Sequence, residues 1–335
     1  MKINLSQFKE VLGKVKPGLS SGKETTEQSD CFVFHKNRIF TYNDEISVSC
    51  PWESPIEGAV PSKELLALVN KLSAEEVEMN MENGELRIKS GRSKSGLVVQ
   101  ADIHMPIDEI VMPKKFSPLP KNFTAGLKSC VFSASNDFSF PILTVVHCLD
   151  SWMESTDNDR ATRWELSKQW FKKPVLIPVV AAKALSGYSD VKAYHDDGSW
   201  VHFQIGDSLV FSCRTIDGDF PDIGGYFKTD GYELEFPSST LDILSRAGIF
   251  VEADNSEKLV HVSVNEKGVM EIKAQSDHGW YNETIRLKAA PKTALAFSIH
   301  PDYLSQILSS TGKATIGEKL VLFETENFKH VIALE

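Results

Sequence analysis

Apolar and polar positions along the chain follow two rhythms that take turns. Short stretches with apolar residues every three or four positions predict amphipathic helices, beginning near Leu5, Pro61, Leu119, Pro178, Pro237 and Pro301. Leu65, Leu66, Leu68, Val69 and Leu72 form the apolar stripe of the second, and Leu241, Ile243, Leu244, Ala247 and Ile249 that of the fifth. The starts recur at a spacing of roughly sixty residues, the signature of a supersecondary unit copied along a chain. Four of the six open on proline, whose fixed φ and missing N–H suit a first helical position. Each helix is only about three turns long, so packing must supply most of its stability.

Between the helices the pattern switches to strict alternation. Glu76 to Met81 turns at Glu82-Asn83-Gly84-Glu85 and returns as Leu86 to Lys89. Asn-Gly between alternating runs is a strong hairpin signal. Val201 to Ile205 and Ser208 to Phe211 flank Gly206-Asp207 in the same way, and Val260 to Val264 returns as Val269 to Ile272 after Glu266-Lys267-Gly268. The last unit reads Ala314 to Ile316, Leu320 to Phe323 and Phe328 to Leu334. One helix per several strands predicts an α+β chain of antiparallel sheets. Six units pair into three similar domains, expected at 1–114, 115–231 and 232–335. The boundaries fall in the proline- and lysine-rich stretch Met112 to Pro118 and around Tyr226 to Glu233. A length of 335 residues exceeds one ordinary core and suits this division. Paired repeats of this kind predict a ring or arc with one set of elements facing a common centre.

Composition narrows the setting. No run approaches the ~20 apolar residues of a membrane span, and no leader pattern opens the chain, so no membrane partner is expected. Cys31, Cys50, Cys130, Cys148 and Cys213 make an odd number with no close pair. That pattern predicts a reducing, cytoplasmic compartment, and neither a disulfide framework nor a zinc site. The formal net charge of −10 argues against nucleic acid until its distribution is considered. The helix segments carry Lys9, Lys14, Lys16, Lys63, Lys71, Lys121, Lys128, Lys183 and Arg246 against Glu10, Glu64, Asp242 and Asp302. These segments are therefore net positive on an acidic chain, although the sixth brings no cation. Lysines on the outer faces of ordinary helices would give the same count.

Chemistry-bearing clusters are weak. His147, Cys148 and Asp150 lie on a predicted strand, where alternation sends neighbours to opposite faces. Gly91 to Gly96 lacks the Gly-Lys-Ser/Thr ending and following helix of a phosphate loop. Asp196-Asp197-Gly198 and Asp217-Gly218-Asp219 read as turns, and the nine histidines show no ligand spacing. No catalytic residue, metal or cofactor is expected.

Several motifs carry a family resemblance in chain order. Val60-Pro61-Ser62-Lys63-Glu64-Leu65-Leu66, followed by the hairpin and Ser90-Gly91-Arg92-Ser93-Lys94-Ser95-Gly96-Leu97, resembles the first domain of the bacterial replicative sliding clamp, the β subunit of DNA polymerase III. Thr215 to Asp222 resembles the D-G-x-F-P-D stretch that closes that family's second domain, and Ser155 to Arg160 its T-D-G-H-R turn. The resemblance runs along the whole chain. It implies three similar domains per subunit, and two subunits closing a ring around duplex DNA, with helices lining the hole and sheets outside. Such a protein is a processivity factor for DNA replication and needs no chemistry of its own.

The resemblance also implies sites. The nine helix cations would hold duplex DNA without reading sequence. Leu143, Thr156, Arg160, Pro221, Tyr226, Val331 and Ile332 would form a pocket for short peptide motifs of a polymerase and a clamp loader. Leu97 on one side and Ile249 with Phe250 on the other would form a homodimer seam. Two departures touch the peptide pocket: Asn158-Asp159 stands where the family has Gly-His, and the chain ends His330-Val331-Ile332-Ala333-Leu334-Glu335 rather than in a Met-Pro-Met-Arg-Leu-like stretch. Both fit a diverged member of cellular or viral origin. From a different class comes the alternative of a β-rich structural or carbohydrate-binding repeat protein without a DNA role, and a third reading is an enzyme using the 140–165 region.

Overall fold

Helix starts are set by local capping. In the computed structural model, which describes residues 1–20, 26–108, 110, 113–251 and 258–335, Asn4 accepts a hydrogen bond from the Gln7 N–H at 3.0 Å and starts the first helix. His300 accepts from the Asp302 N–H at 3.2 Å at the start of the last, with Pro301 at its first position. Pro61 and Pro178 instead precede their helices, with extended ψ of 123° and 140°. Pro237 accepts from the Thr240 N–H in the turn before the fifth helix. Of the four prolines, only Pro301 takes the expected first helical position. A φ near −65° suits a strand end equally well, and the missing donor costs nothing there. Met112, at the start of the expected first linker, lies outside the described residues.

One pattern recurs six times: a strand, a helix, then a three-stranded meander. The first copy is β1 (Lys2–Asn4), α1 (Leu5–Val15), β2 (Cys31–His35), β3 (Arg38–Tyr42) and β4 (Ile46–Pro51). The second is β5 (Gly58–Pro61), α2 (Ser62–Lys71), β6 (Glu76–Glu82), β7 (Glu85–Ser90) and β8 (Ser93–Val98). The third is β9 (Ser117–Pro118), α3 (Phe123–Val131), β10 (Val145–Asp150), β11 (Trp152–Thr156) and β12 (Arg160–Glu165). The fourth is β13 (Phe171–Pro178), α4 (Val179–Leu185), β14 (Val191–Asp196), β15 (Trp200–Ile205) and β16 (Leu209–Arg214). The fifth is β17 (Tyr232–Glu235), α5 (Thr240–Gly248), β18 (Val260–Val264), β19 (Val269–Ser276) and β20 (Gly279–Arg286). The sixth is β21 (Leu295–Ile299), α6 (Pro301–Leu308), β22 (Lys313–Ile316), β23 (Leu320–Glu324) and β24 (Phe328–Ala333). The β6–β7 hairpin turns through Asn83 at φ 53° and Gly84 at φ 77°, the two positive values of a type I′ turn.

Consecutive copies exchange their leading strands. β1 pairs beside β6 and β5 beside β2, and the later pairs of copies repeat the exchange. Among the described residues this yields four sheets: β1-β6-β7-β8, β5-β2-β3-β4-β16-β15-β14-β9, β13-β10-β11-β12-β24-β23-β22-β17 and β20-β19-β18-β21. Each long sheet is two four-stranded halves joined through the last strands of two meanders, β4 with β16 and β12 with β24.

The chain divides into two compact units, Met1–Ala125 with Val175–Ile216 and Gly126–Pro174 with Asp217–Glu335. The division passes inside α3 and β13. In the second unit Ile243, Leu244, Leu304 and Ile307 of the helices pack with Val262, Ile272, Phe323 and Ile332 of the sheets. Full burial of each such side chain contributes roughly 1.5–3 kcal/mol. A connecting segment covers part of a long sheet in each unit. Met105, Ile107 and Ile110 pack with Val33, Tyr42 and Trp200 in the first. Ile223, Phe227 and Phe220 pack with Ala161, Leu322 and Val331 in the second.

Candidate functional site

The residues expected to receive partner peptides all lie in the second unit, and β12 and β24 bring most of them together. Arg160 stands opposite Ile332 and Ala161 opposite Val331 across that join. The turn from Thr156 to Arg160 is built by its own side chains. Asp157 accepts from the backbone N–H groups of Asp159 (3.2 Å) and Arg160 (3.0 Å). Thr156 donates to the Arg160 carbonyl at 2.8 Å and accepts from the Asn158 N–H at 3.1 Å. Asn158 has φ 78°, a left-handed conformation that Asn tolerates and β-branched residues avoid. The departure from glycine at this position therefore keeps the turn.

Arg160 is held from several sides. Its Nε donates to Asp157 at 2.9 Å, one Nη donates to the Gln306 Oε1 at 2.5 Å, and its guanidinium lies 3.9 Å from the centre of the Tyr303 ring. Its side chain is only 9 % exposed. Burial pushes the Asp157 carboxyl up, and Arg160 opposes that shift. Arg160 and Thr156 thus shape the turn and are not free handles. Leu143, Val331 and Ile332 are also buried, whereas Pro221 is exposed and Tyr226 is 55 % exposed. Leu143 belongs to a 3-10 turn, Pro141–Leu143, whose Ile142 side chain lies against Gly218, and so meets the loop that carries Pro221.

A polar network that sequence reasoning missed lies beside this patch. Glu154 accepts from Arg163 at 2.9 and 2.6 Å through one oxygen and pairs with His147 Nδ1 at 3.1 Å through the other. Arg163 spans the rings of Trp152 and Phe227, both 4.9 Å away, and His147 stacks on Phe220 at 4.7 Å. The network fixes the segment that bears Pro221 and Tyr226. It also occupies His147, while Cys148 stands opposite Met153 one position along the strand. His330 is fully buried, with Nδ1 2.9 Å from the Thr162 hydroxyl, and burial pushes its pKa down to about 3. The exposed Phe138 and Phe140, just before the Pro141–Leu143 turn, were also missed. Their aromatic character within a polar run was the available signal.

The helix cations divide into two groups. Lys9 donates to the Leu72 carbonyl at 2.9 Å, Lys14 pairs with Glu10 at 2.5 Å, and Arg246 contacts Glu283 at 2.7 Å and the Tyr281 hydroxyl at 2.8 Å. Lys16, Lys63, Lys71, Lys121, Lys128 and Lys183 are exposed, and among the described residues none of them makes an ion pair. Among the described residues no cluster of His, Cys, Asp or Glu could hold a metal ion, and no helix is long and apolar enough to cross a membrane.

Of the residues expected at a seam, Leu97 lies on an open sheet edge, and Ile249 and Phe250 lie beside another. Leu97 is on β8, whose outer neighbour Val98 is 68 % exposed. Ile249, 70 % exposed, and Phe250 follow α5, and Phe250 stacks on Tyr281 of β20 at 6.2 Å. Trp280 on β20 is 71 % exposed and was missed, because its strand alternates half-buried with exposed positions and shows no apolar stripe.

No family model and no curated protein matches the sequence. Solved structures match its fold over the whole chain. The DNA polymerase III β chain of Streptococcus pneumoniae superposes with a TM-score of 0.85 at 20% identity, covering 100% of this chain and 98% of that one. The DNA polymerase sliding clamp of Bacillus subtilis gives 0.81 at 20% identity, with the same coverage. The DNA polymerase III β subunit of Thermotoga maritima gives 0.81 at 14% identity, again covering 100% and 98%. The fold is that of these clamps, as the resemblance implied.

Proposed function

We propose that this chain is a DNA sliding clamp, a processivity factor that encircles duplex DNA and tethers a replicative polymerase. Two copies close head to tail. The helix cations, led by the six lysines that make no ion pair among the described residues, hold phosphates without reading sequence. Contacts of that kind favour no register and so permit sliding. A polymerase or clamp loader docks a short extended peptide in the second unit, against Pro221, Tyr226 and the apolar surface over Val331 and Ile332. The ring performs no reaction. By topology it keeps the tethered polymerase at high effective concentration. Cytoplasmic residence and three domains, near 1–114, 115–231 and 232–335, belong to the same reading. The pairwise exchange of leading strands supports the three-fold division.

The observation that carries the proposal is the order of the joins. The first meander ends in β4, which joins the fourth through β16, and the third ends in β12, which joins the sixth through β24. Each join therefore links a meander to the one three copies later. The fifth meander, ending in β20, would join an eighth, which is the second meander of another copy, ending in β8. Among the described residues, these are the two meander-ending strands that stand at sheet edges. Retention on closed circular DNA, combined with mass in solution, tests the proposal. A dimer should stay on circular DNA and be released when the DNA is linearised. A monomer lost equally from both forms would turn the reading towards a β-rich structural protein.

A further inference from the structure

The two joins carry different side chains at one shared position, and the difference goes with a cleft in the first unit. The β3–β4 hairpin opens on the pair Tyr42–Ser47 and the β11–β12 hairpin on Thr156–Ala161, so Ser47 and Ala161 occupy one position of the repeat. The helices align in the same way, since the Thr41 hydroxyl donates to the Val15 carbonyl and the Ser155 hydroxyl to the Cys130 carbonyl. Across the joins Ser212 faces Ser47 and Val331 faces Ala161. Counting three residues on from these pairs places Cys50 with Trp164 and Leu209 with Phe328.

In the second unit this position is filled. Trp164 faces Phe328 with the ring centres 6.5 Å apart, and its indole lies over α3, where a Cβ on Gly126 would come within 2.7 Å of its Cδ1. In the first unit the smaller Cys50 and Leu209 leave a cleft of about 570 Å³ beside them. Pro17 after α1, Ala184 and Tyr188 at the end of α4, and Ile205 supply further apolar wall. Gly13 of α1 also lines the cleft, with open space where a Cβ would stand. The Tyr188 hydroxyl donates to the Lys14 carbonyl and ties the two helix ends together. The volume falls within the roughly 300–1,000 Å³ range of small-ligand sites.

The rim adds a charge preference. Glu10 is balanced by Lys14 at 2.5 Å. Asp190 and Asp207 share one partner, Lys192, at 3.3 and 3.1 Å, so this side of the cleft keeps one negative charge in excess. Arg38 is engaged by the Ser49 hydroxyl at 2.9 Å and the Ser208 carbonyl at 3.2 Å. We propose that the cleft binds a small aromatic amine, with its ring in the space that corresponds to the Trp164 indole and its ammonium at Asp190 and Asp207. The proposal goes beyond the clamp reading and does not depend on it. An aromatic ring matches the apolar wall and can stack on Tyr188. An anionic analogue of the same shape would meet the uncompensated carboxylate. A bound amine touches the ends of α1 and α4 and both strands of the join, and binding to the folded state alone raises stability.

Tryptamine is the probe, with indole-3-acetate as its anionic counterpart. Tryptamine should raise the thermal midpoint of the full chain, and calorimetric titration should show it binding roughly fivefold or more tightly than indole-3-acetate, the scale of one surface charge interaction. Cys50, at 9 % the most exposed of the five cysteines, should be alkylated first by iodoacetamide, and tryptamine should slow that labelling. Cys50→Trp should fill the cleft and abolish binding. Asp207→Asn, at a side chain 99 % exposed and therefore safe for folding, should lower the affinity for tryptamine and leave that for uncharged indole unchanged. Equal affinity for the two charged probes, tryptamine binding that leaves Cys50 labelling unaltered, or no binding at millimolar concentration would each overturn the proposal. Retention on circular DNA reads the clamp separately, so failure here leaves that reading in place.

Discussion

The two long sheets are built alike, yet the patches their connecting segments cover differ in what they leave open. In the first, Met105, Ile107 and Ile110 are buried against Val33, Tyr42 and Trp200, and the aromatic pair Tyr42–Trp200 sits 6.4 Å apart beneath them. In the second, Ile223 and Phe227 are buried against Ala161, Leu322 and Val331, but Phe220 is only half-buried, and Pro221 and Tyr226 stand exposed at the rim. The joins beside these patches differ too. Ser47, Ser49 and Ser212 make the first one polar, and His202 bonds to Ser212 at 2.8 Å. In the second, the apolar Ala161 and Val331 are buried next to the Glu154–Arg163 ion pair. A repeated architecture thus supplies the same scaffold twice, and the second copy keeps Pro221 and Tyr226 exposed at its rim.

The largest expected difference between the patches is their response to acid. His330 occupies the repeat position that Phe211 holds in the first unit, since each stands opposite the equivalent residue of its join, Thr162 and Val48. Burial holds the His330 pKa near 3, well below its ordinary 6.5. The folded state therefore keeps this imidazole neutral, and the unfolded chain gains the proton first. Its contribution to stability is fully present above pH 6.5 and declines as pH falls towards 3, at about 1.4 kcal/mol per pH unit at most. His202 in the first unit is lowered by burial as well, but Asp197 at 3.4 Å opposes the shift. Urea unfolding between pH 7 and 4 should show a steep loss that His330→Phe flattens. An unchanged slope in that variant would end the argument.

Next in size are paired truncations beneath each patch. Phe227→Ala and Ile107→Ala should each cost about 3 kcal/mol, since both side chains are buried and leave cavities. Only Phe227→Ala should also weaken a polymerase-derived peptide, because Phe227 supports the exposed rim and carries the Arg163 guanidinium on its face. Calorimetric titration separates the two outcomes. Equal loss of peptide binding in both variants would mean that the patches are not functionally distinct. Tyr226→Ala should do the reverse of Ile107→Ala. At a 55 % exposed position it should change stability by less than about 0.5 kcal/mol yet cost about 2 kcal/mol or more of peptide affinity if Tyr226 anchors the peptide.

How much of this was legible depended on the range of the interaction. The first helix reads as Leu5 to Val15 in sequence and in structure, because its cap and stripe are local. The third was read from Leu119 but begins at Phe123, since Ser117–Pro118 form a strand and the Phe123 N–H bonds back to Pro120 in a turn. Arg160 looks like a free cation in sequence. Gln306 and Tyr303, which hold it, lie far along the chain and carry no local mark. The network around Glu154 was invisible for the same reason, as it gathers Arg163 and Phe227 from separate segments. β20 escaped notice because an edge strand that lacks its neighbour shows no apolar stripe.

The smallest expected effect concerns the turn where this chain departs from the clamps it resembles. Asn158 stands at φ 78° between Thr156 and Arg160, and the side chains of Thr156 and Asp157 bond the backbone on either side of it. Glycine enters the left-handed region freely and Asn enters it at low cost, so Asn158→Gly should alter stability by no more than about 0.5 kcal/mol. A β-branched residue meets the full penalty, and Asn158→Val should cost about 1–2 kcal/mol. The comparison isolates backbone conformation from side-chain contact, because Asn158 is exposed. If the turn positions Arg160 for the peptide site, Asn158→Val should lose peptide affinity along with stability, and Asn158→Gly should keep both. The turn at the corresponding corner of the first unit, Asn43 to Ile46, carries Asp44 at φ 69°, and Asp44→Val there should cost similar stability with no effect on the peptide. Loss of binding in that variant would place the peptide elsewhere than the second patch.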